Sequence, residues 1–395
     1  MEGVCRLPTE LLLHTIDSLI PSNPPVAFPA SHIVTRTLLK LCLVSKTIHY
    51  AAIRLLFAHC VYIDSPDRLR LLQRTLVDHH LERAFGSKIP WQSPLDRDDS
   101  DSNLETRHEN TPKSFISSLF LAPFPDDTID SPEIAPLVLG LCTTIGHYLT
   151  RLVIDIPLRS LRPEDDTNNI RPFLRAAFQE FVGLEEFVST RDELYLDITK
   201  RALEHPAVWS TWPNLKRLAL YNVDVSSTRF LKDIQQCRQL THLVLTRADC
   251  LTEGVFPSLL PLFPHAPLQM SHSLQRVLIV NFTQDHKYRP TFSRRRWEDC
   301  FLGKVWTATP DNQKHKLQIT RIDVSLPGYR DAYCEIERCQ EWVCRAAIQG
   351  TLWELPGVPL LVKGNPEEVG GLQIGWQLAD SHLPDLSPNI FSDSE

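Results

Sequence analysis

One short apolar pattern recurs six times in the second half of the chain, with apolar residues at its first, fourth and sixth positions. The segments are LTRLVI (149–154), LEEFVS (184–189), LKRLAL (215–220), LTHLVL (240–245), LQRVLI (274–279) and ITRIDV (319–324). Only the second departs, because Ser189 occupies its last apolar slot. Alternate residues of a short strand point to one face, and no single segment can bury them alone. The pattern therefore predicts neighbouring units that stack.

The spacing of these segments indicates a repeat architecture. Their starting positions differ by 35, 31, 25, 34 and 45 residues, and helical patterns fill intervals at 171–182 and 226–237. A strand followed by a helix every 20–30 residues is typical of leucine-rich repeats, which stack into a curved solenoid. We therefore expect an α/β fold with short parallel strands on one side and helices on the other over residues 149–350. The irregular steps indicate insertions, and an ordinary α/β domain is the alternative.

The first 62 residues read as a separate helical unit. Two Leu-dense segments, LPTELLLHTI (7–16) and LLKLCLVSKTI (38–48), flank a proline-rich stretch at Pro21–His32. Pro8 suits a helix entry, and the proline-rich stretch predicts a loop. We expect residues 5–62 to form this unit and residues 5 to about 80 to be helical apart from the loop.

The remaining segments complete the domain organisation. Residues 63–148 are interpreted as a helical linker region that contains a disordered loop at about 93–114, because that stretch is polar, acidic and nearly free of apolar residues. Residues 351–395 are interpreted as a C-terminal segment that ends in a mobile tail from about residue 381.

Composition excludes some classes of function. The net charge is −7, which provides no global attraction for nucleic acid or anionic membranes. The basic run FSRRRW (292–297) raises nucleic-acid binding as an alternative, but a solvated helix start is the preferred interpretation. No secretory signal or span-length apolar stretch is visible, so we expect an intracellular protein of the cytoplasm, the nucleus or both, with no membrane or nucleic-acid partner.

Motifs for catalysis and cofactor binding are absent from the sequence. There is no GxSxG, HExxH, P-loop or GxGxxG pattern. The ten cysteines are scattered, and the cluster at Cys334, Cys339 and Cys344 cannot converge from one helix because five-residue steps turn from face to face. We therefore expect no metal, no cofactor and no enzymatic activity, with a hydrolase of unrecognised site as the alternative.

The first unit resembles an F-box. The family pattern is an L-P-x-E helix with apolar residues after it, followed by a second helix with L-x-x-V-S, and it is met here over roughly 55 residues. The connecting insert is longer than usual, and Ile48 stands where an aromatic residue is often found. The whole chain, including WPNLKRLAL (212–220), resembles fungal F-box proteins with irregular leucine-rich repeats. The matching residues are Leu7, Pro8, Glu10, Leu11, Leu12, Ile16, Leu41, Val44, Ser45 and Ile48.

The resemblance implies a function in protein degradation. F-box proteins dock on a Skp-type adaptor, and through it on a cullin, and present a protein substrate to the ubiquitin ligase. Apolar surface in excess of what 55 residues can bury points the same way, because such surface marks a partner site. The alternative is a leucine-rich-repeat scaffold in which this unit is only a structural cap. The expected adaptor-binding residues are Leu7, Pro8, Leu11, Leu12, Ile16, Leu41, Val44, Ser45 and Ile48.

The slots between inward strand residues supply a candidate substrate surface. The slot before the second apolar position holds Arg151, Glu186, Arg217, His242, Arg276 and Arg321. The slot after it holds Val153, Val188, Ala219, Val244, Leu278 and Asp323. A basic column beside an apolar one, with Tyr221 further along, suits an acidic or phosphorylated segment next to an apolar residue. The alternative is that the C-terminal segment, for example Leu352–Val362, covers the apolar column.

Overall fold

The computed structural model describes residues 8–77, 112–124, 129, 131–198, 205–251, 273–282, 301–324 and 332–359. Several sequence expectations lie outside this part of the chain. They are Leu7, most of the loop at about 93–114, the basic run 292–297 and the tail from about 381. The described residues form a mixed α/β structure with ten helices and one nine-stranded, mostly parallel sheet.

Three helices form the first unit. They are α1 (Thr9–Asp17), α2 (Ile33–Leu41) and α3 (Lys46–His59). The unit has its own small core, which consists of Ile16, Leu38, Ile48, Ala51, Ala52 and Leu55. Ile48, Ala51, Ala52 and Leu55 recur at three- and four-residue spacing on one face of α3, as an amphipathic helix requires, and Ile16 of α1 and Leu38 of α2 pack against that face.

The sheet is built in chain order. Its strands are β1 (Tyr62–Ile63), β2 (Ser118–Leu121), β3 (Arg151–Ile154), β4 (Glu186–Ser189), β5 (Arg217–Tyr221), β6 (His242–Thr246), β7 (Arg276–Phe282), β8 (Gln318–Val324) and β9 (Val358–Pro359). Neighbours from β1 to β8 pair in parallel, and β9 pairs antiparallel to β8. The six recurring segments are β3 to β8, so the prediction of short parallel strands is confirmed.

The sheet begins earlier than the recurring pattern. Strand β1 makes the prediction of helix up to about residue 80 wrong at 62–63, and β2 lies in the region interpreted as a helical linker. Helix α4 (Pro66–Val77) follows β1. Ile63, Leu119 and Leu121 are buried in the same core as the later strands, and this burial explains why two such short segments join the sheet.

Helices cover one face of the sheet. The helices in this part of the chain are α5 (Ile134–Ile145), α6 (Ile170–Gln179), α7 (Thr228–Ile234), α8 (Phe301–Ala308) and the short α9 (Asp311–Lys314). Residues of α5 to α8 share one core with alternate strand residues such as Leu152, Phe187, Leu218 and Leu243. In α5 the buried residues Ile134, Val138, Leu141 and Ile145 form one stripe, which explains how this apolar segment packs as a helix.

A single helix covers the opposite face. Helix α10 (Ala332–Ile348) buries Cys339, Val343, Ala346 and Ala347, which recur at helical spacing, against the strands. Leu352 and Trp353, just beyond the helix, complete this second core. Both faces of the sheet are therefore closed over the strands that these residues contact, as is usual for parallel sheets.

The register of β8 differs from the sequence alignment. Arg276 pairs with Gln318, and Ile279 pairs with Arg321, so β8 is shifted by three residues from the expected alignment of Arg276 with Arg321. An odd shift moves side chains to the opposite face. Ile322 and Val324 thus point toward α10, while Ile319 joins the core on the other face. Arg321, two residues after Ile319, does not belong to the basic column.

Candidate protein-binding surfaces

The first unit carries a concentration of exposed apolar side chains. Of nine large apolar side chains exposed among the described residues, five lie between residues 11 and 44, which marks this unit as the outstanding apolar surface. They are Leu11, Ile33, Leu39, Leu43 and Val44, and Leu43 is the most exposed at 87%. Because their own unit does not bury them, they are available to a partner.

The structure divides the predicted adaptor-binding residues into three groups. Ile16 and Ile48 are buried in the core of the unit, and Leu12 and Leu41 are half-buried against it. Leu11, Val44 and Pro8 are exposed. Ser45 is the N-cap of α3, where its hydroxyl oxygen accepts a hydrogen bond of 3.4 Å from the backbone N–H of Ile48. Leu7 lies outside the described residues.

Sequence reasoning missed three of the five exposed apolar residues of this unit, which are Ile33, Leu39 and Leu43. Leu39 and Leu43 stand four positions apart, at the end of α2 and in the turn that follows it. Their neighbours Leu38 and Leu41 pack inward. The signal was present in LLKLCLV, which has more leucines than one helix face can hold. The fit to the family pattern drew attention to Leu41 and Val44 instead.

The proline-rich stretch ties the first unit to α10. Val26 and Ala27 are buried in the core under α10, and the backbone N–H of Val26 donates a 2.6 Å hydrogen bond to the carbonyl oxygen of Ile348. The guanidinium of Arg151 donates to the carbonyl oxygen of Pro24 at 3.2 Å. The stretch is a loop, as expected, and it also packs on the sheet.

The expected apolar column is covered. Val153, Val188, Ala219, Val244 and Leu278 are all buried in the core under α10. Leu352 and Trp353 are part of the same core, so the alternative that the C-terminal segment covers this column describes the structure. The helix was not foreseen as the main cover. The column cannot seat an external side chain while α10 is in place.

Much of the basic column is occupied by internal partners. The buried carboxylate of Glu186 lies between Arg151, with an Nε–Oε1 distance of 3.6 Å, and Arg217, with an Nη1–Oε2 distance of 3.4 Å. Arg276 donates hydrogen bonds to the carbonyl oxygens of Trp353, at 2.8 Å, and of Leu355. These contacts neutralise or anchor side chains that were expected to face a substrate.

The other three positions of the candidate site behave differently. Burial, with smaller contributions from Arg217 and Arg276, lowers the pKa of His242 to about 4, so this imidazole is neutral near pH 7. The buried Tyr221 accepts a 2.7 Å hydrogen bond at its hydroxyl oxygen from Arg247. Arg321 pairs with Asp323 on its own strand at 2.6 Å.

Comparison with known proteins gives no family. No protein-family model matches the chain, and no curated protein matches it. Within the described segments, no helix combines the length and apolar character that crossing a bilayer would need.

Proposed function

We propose that this chain is the substrate-recognition subunit of a Skp–cullin–F-box type ubiquitin ligase. In this proposal α1 to α3 form an F-box-like unit that docks on a Skp-type adaptor, and the sheet belongs to an irregular leucine-rich-repeat solenoid that holds a protein substrate. The chain would be a non-catalytic, intracellular receptor, because the ligase chemistry resides on other subunits.

The exposed apolar side chains of the first unit carry the proposal. Leu11, Ile33, Leu39, Leu43 and Val44 are each more than half exposed, although the same unit buries Ile16, Leu38, Ile48 and Leu55. Removing each such side chain from water stabilises a complex by roughly 1.5–3 kcal/mol. Leu11 directly follows the LPxE segment, and Leu43 and Val44 lie in the LxxVS segment, which supports docking on an adaptor over a generic partner.

The order of the strands supports the repeat part of the proposal. Each strand from β1 to β8 lies beside its predecessor in the chain and runs parallel to it. Stacked strand–helix units produce this order, because each unit contacts only its neighbours.

A second function is favoured by one observation. Val26 and Ala27 pack under α10, so the first unit contributes to closing the sheet. A scaffold protein whose first unit is only a cap would show the same contact. In that case the exposed leucines would bind no adaptor.

Adaptor capture by the full chain tests the proposal. We expect the purified chain to bind a Skp-type adaptor, and the Leu43→Asp variant to bind at least tenfold more weakly, since a loss of 1.4 kcal/mol is a factor of ten. Leu71→Asp is the matched control, because Leu71 is a 60% exposed leucine of α4 outside the first unit. Equal binding by both variants would reject the F-box assignment in favour of the cap.

A further inference from the structure

A groove lies where the proline-rich stretch meets α10. Its volume is about 830 Å³, within the range of pockets that hold ligands. One wall comes from the loop around Phe28, another from Tyr62 of β1, and a third from the side of α10 that carries Glu337, Gln340 and Ile348. This side of α10 is not the one that packs on the sheet through Cys339 and Val343.

The apolar walls of the groove are held in place by their own contacts. The ring of Phe28 stacks on His32 with centroids 4.6 Å apart, and the ring of Tyr62 stacks on Phe120 with centroids 4.4 Å apart. Burial raises the pKa of Tyr62 to about 12, so its hydroxyl stays neutral. The aromatic side chains are therefore already ordered, and binding a ligand would cost little of their conformational entropy.

One of the carboxylates that line the groove has no ionic partner among the described residues. Asp155 and Arg191 form an ion pair at 2.5 Å, and Glu341 and Arg345 form another at 3.1 Å. Glu337 is exposed and has no ionic partner in the described part of the chain. Three carboxylates against two guanidinium groups give the groove a net charge of −1, because burial lowers the pKa of His32 and keeps it neutral near pH 7.

Two side-chain amides add hydrogen-bonding capacity. Gln340 and Gln349 both line the groove, and within the described residues their amides have no hydrogen-bond partner. Each amide offers donors and an acceptor that match a peptide group. Aromatic and proline walls, free amides and one surplus carboxylate are complementary to a short peptide with a cationic side chain next to an apolar one.

We propose that this groove, and not the closed face of the sheet, binds a short protein segment in which a lysine or arginine adjoins an apolar residue. This inference rests on the proposed function, since it names the surface that would capture the substrate. The cationic group would pair with Glu337, while the apolar side chain would pack between Phe28, Tyr62 and Ile348. The groove therefore favours a basic segment over the acidic one that the strand pattern had suggested.

Peptide binding to the full chain tests the groove. The probes are fluorescein-labelled heptapeptides with a central arginine or lysine flanked by leucine or phenylalanine, and a matched set with glutamate at the centre. We expect fluorescence anisotropy to show binding of cationic peptides only, weakened at least fivefold by E337R. The matched control is E164R, because Glu164 is an exposed carboxylate that does not line the groove. A second variant, E337Q, removes the charge at an exposed position and should weaken binding of the arginine-centred and lysine-centred peptides.

The outcomes separate this inference from the proposed function. No binding of any cationic peptide, or equal binding by E337R and E164R, would overturn the groove assignment while adaptor capture stays intact. Binding of arginine amide alone as tightly as the peptides would assign the groove to a small cation and reject the peptide. Adaptor capture measured on the same E337R protein should equal that of the parent chain, so a loss there would indicate misfolding, and E337Q then decides.

Discussion

The guanidinium of Arg276 donates a 2.8 Å hydrogen bond to the carbonyl oxygen of Trp353, which joins β7 to the segment beyond α10. A second bond reaches Leu355. A position that the sequence predicted as a substrate contact thus anchors the segment that covers the chain's own sheet. Burial lowers the pKa of this guanidinium, but an arginine still remains charged at any ordinary pH.

Replacing Arg276 with Met should loosen that cover. Hydrogen bonds from a charged donor contribute about 1.5–3 kcal/mol each, so we expect the free energy of unfolding to fall by roughly 2 kcal/mol or more. Urea unfolding measures the change, and hydrogen exchange at 352–355 should quicken. Lys232→Met is the control, because Lys232 is exposed and forms no contact of this kind within the described residues. Unchanged exchange would mean that packing of Trp353 alone retains the segment.

Aspartate at Leu12 and at Leu43 should have different effects. Leu12 is half-buried against the core of the first unit, so its replacement should cost stability as well as adaptor binding. Leu43 is 87% exposed, so its replacement should weaken adaptor binding only. Burying an unpaired charge is strongly unfavourable, and we expect at least 2 kcal/mol of difference between the two variants in urea unfolding. Equal free energies of unfolding for the two variants would contradict the assignment of Leu12 to the core of the unit and of Leu43 to its surface.

Ser45 should contribute to the stability of the protein rather than to direct contact with the adaptor. Its hydroxyl caps α3, and loss of an N-cap costs about 0.5–2 kcal/mol. We expect Ser45→Ala to lower the free energy of unfolding by that amount, and Ser45→Asn to restore it, because asparagine caps equally well. Thermal unfolding of the three proteins is the measurement. A stable alanine variant that fails to bind the adaptor would instead make Ser45 a contact residue.

His242 should make stability depend on pH on the acid side. Its folded pKa of about 4 lies below the ordinary value near 6.5, so the unfolded chain takes up a proton there first. The stability that this histidine contributes is complete above pH 6.5 and is lost as pH falls toward 4. Urea unfolding from pH 7 to pH 4.5 should therefore show a steeper decline for the parent chain than for His242→Gln. Parallel curves would show that folding does not lower the pKa of this imidazole.

The recurring pattern predicted β3 to β8 because its period matches the alternation of a strand, which is a local property. It could not set the register of β8, because Ile319 and Ile322 are both apolar and lie on opposite faces. A strand that is covered on both sides offers no polar face to fix the alignment. The apolar slots at Val153 and Val244 were themselves a sign of a second cover. The sequence does not reveal which segment supplies it, because α10 is distant in the chain and its contacts are tertiary.

For the candidate sites too, the sequence predicted the local features but not those that depend on tertiary contacts. The family pattern located the first unit, and its inner residues Ile16 and Ile48 could be anticipated from helical spacing. The groove could not be anticipated from the sequence, because Phe28, Tyr62 and Glu337 come from three separate parts of the chain. The packing of Val26 and Ala27 under α10 helps to bring those parts together.

That packing has a consequence for how the protein is made. Val26 shares a core with α10, whose buried residues in that core begin with Cys339, 313 positions later in the chain. At a synthesis rate of about 5–20 residues per second, the ribosome needs roughly 15–60 s to reach that point. Throughout that interval the core around Val26 and Ala27 lacks its contribution from α10, and the growing sheet has one uncovered face. This core should therefore be completed only after α10 has been synthesised.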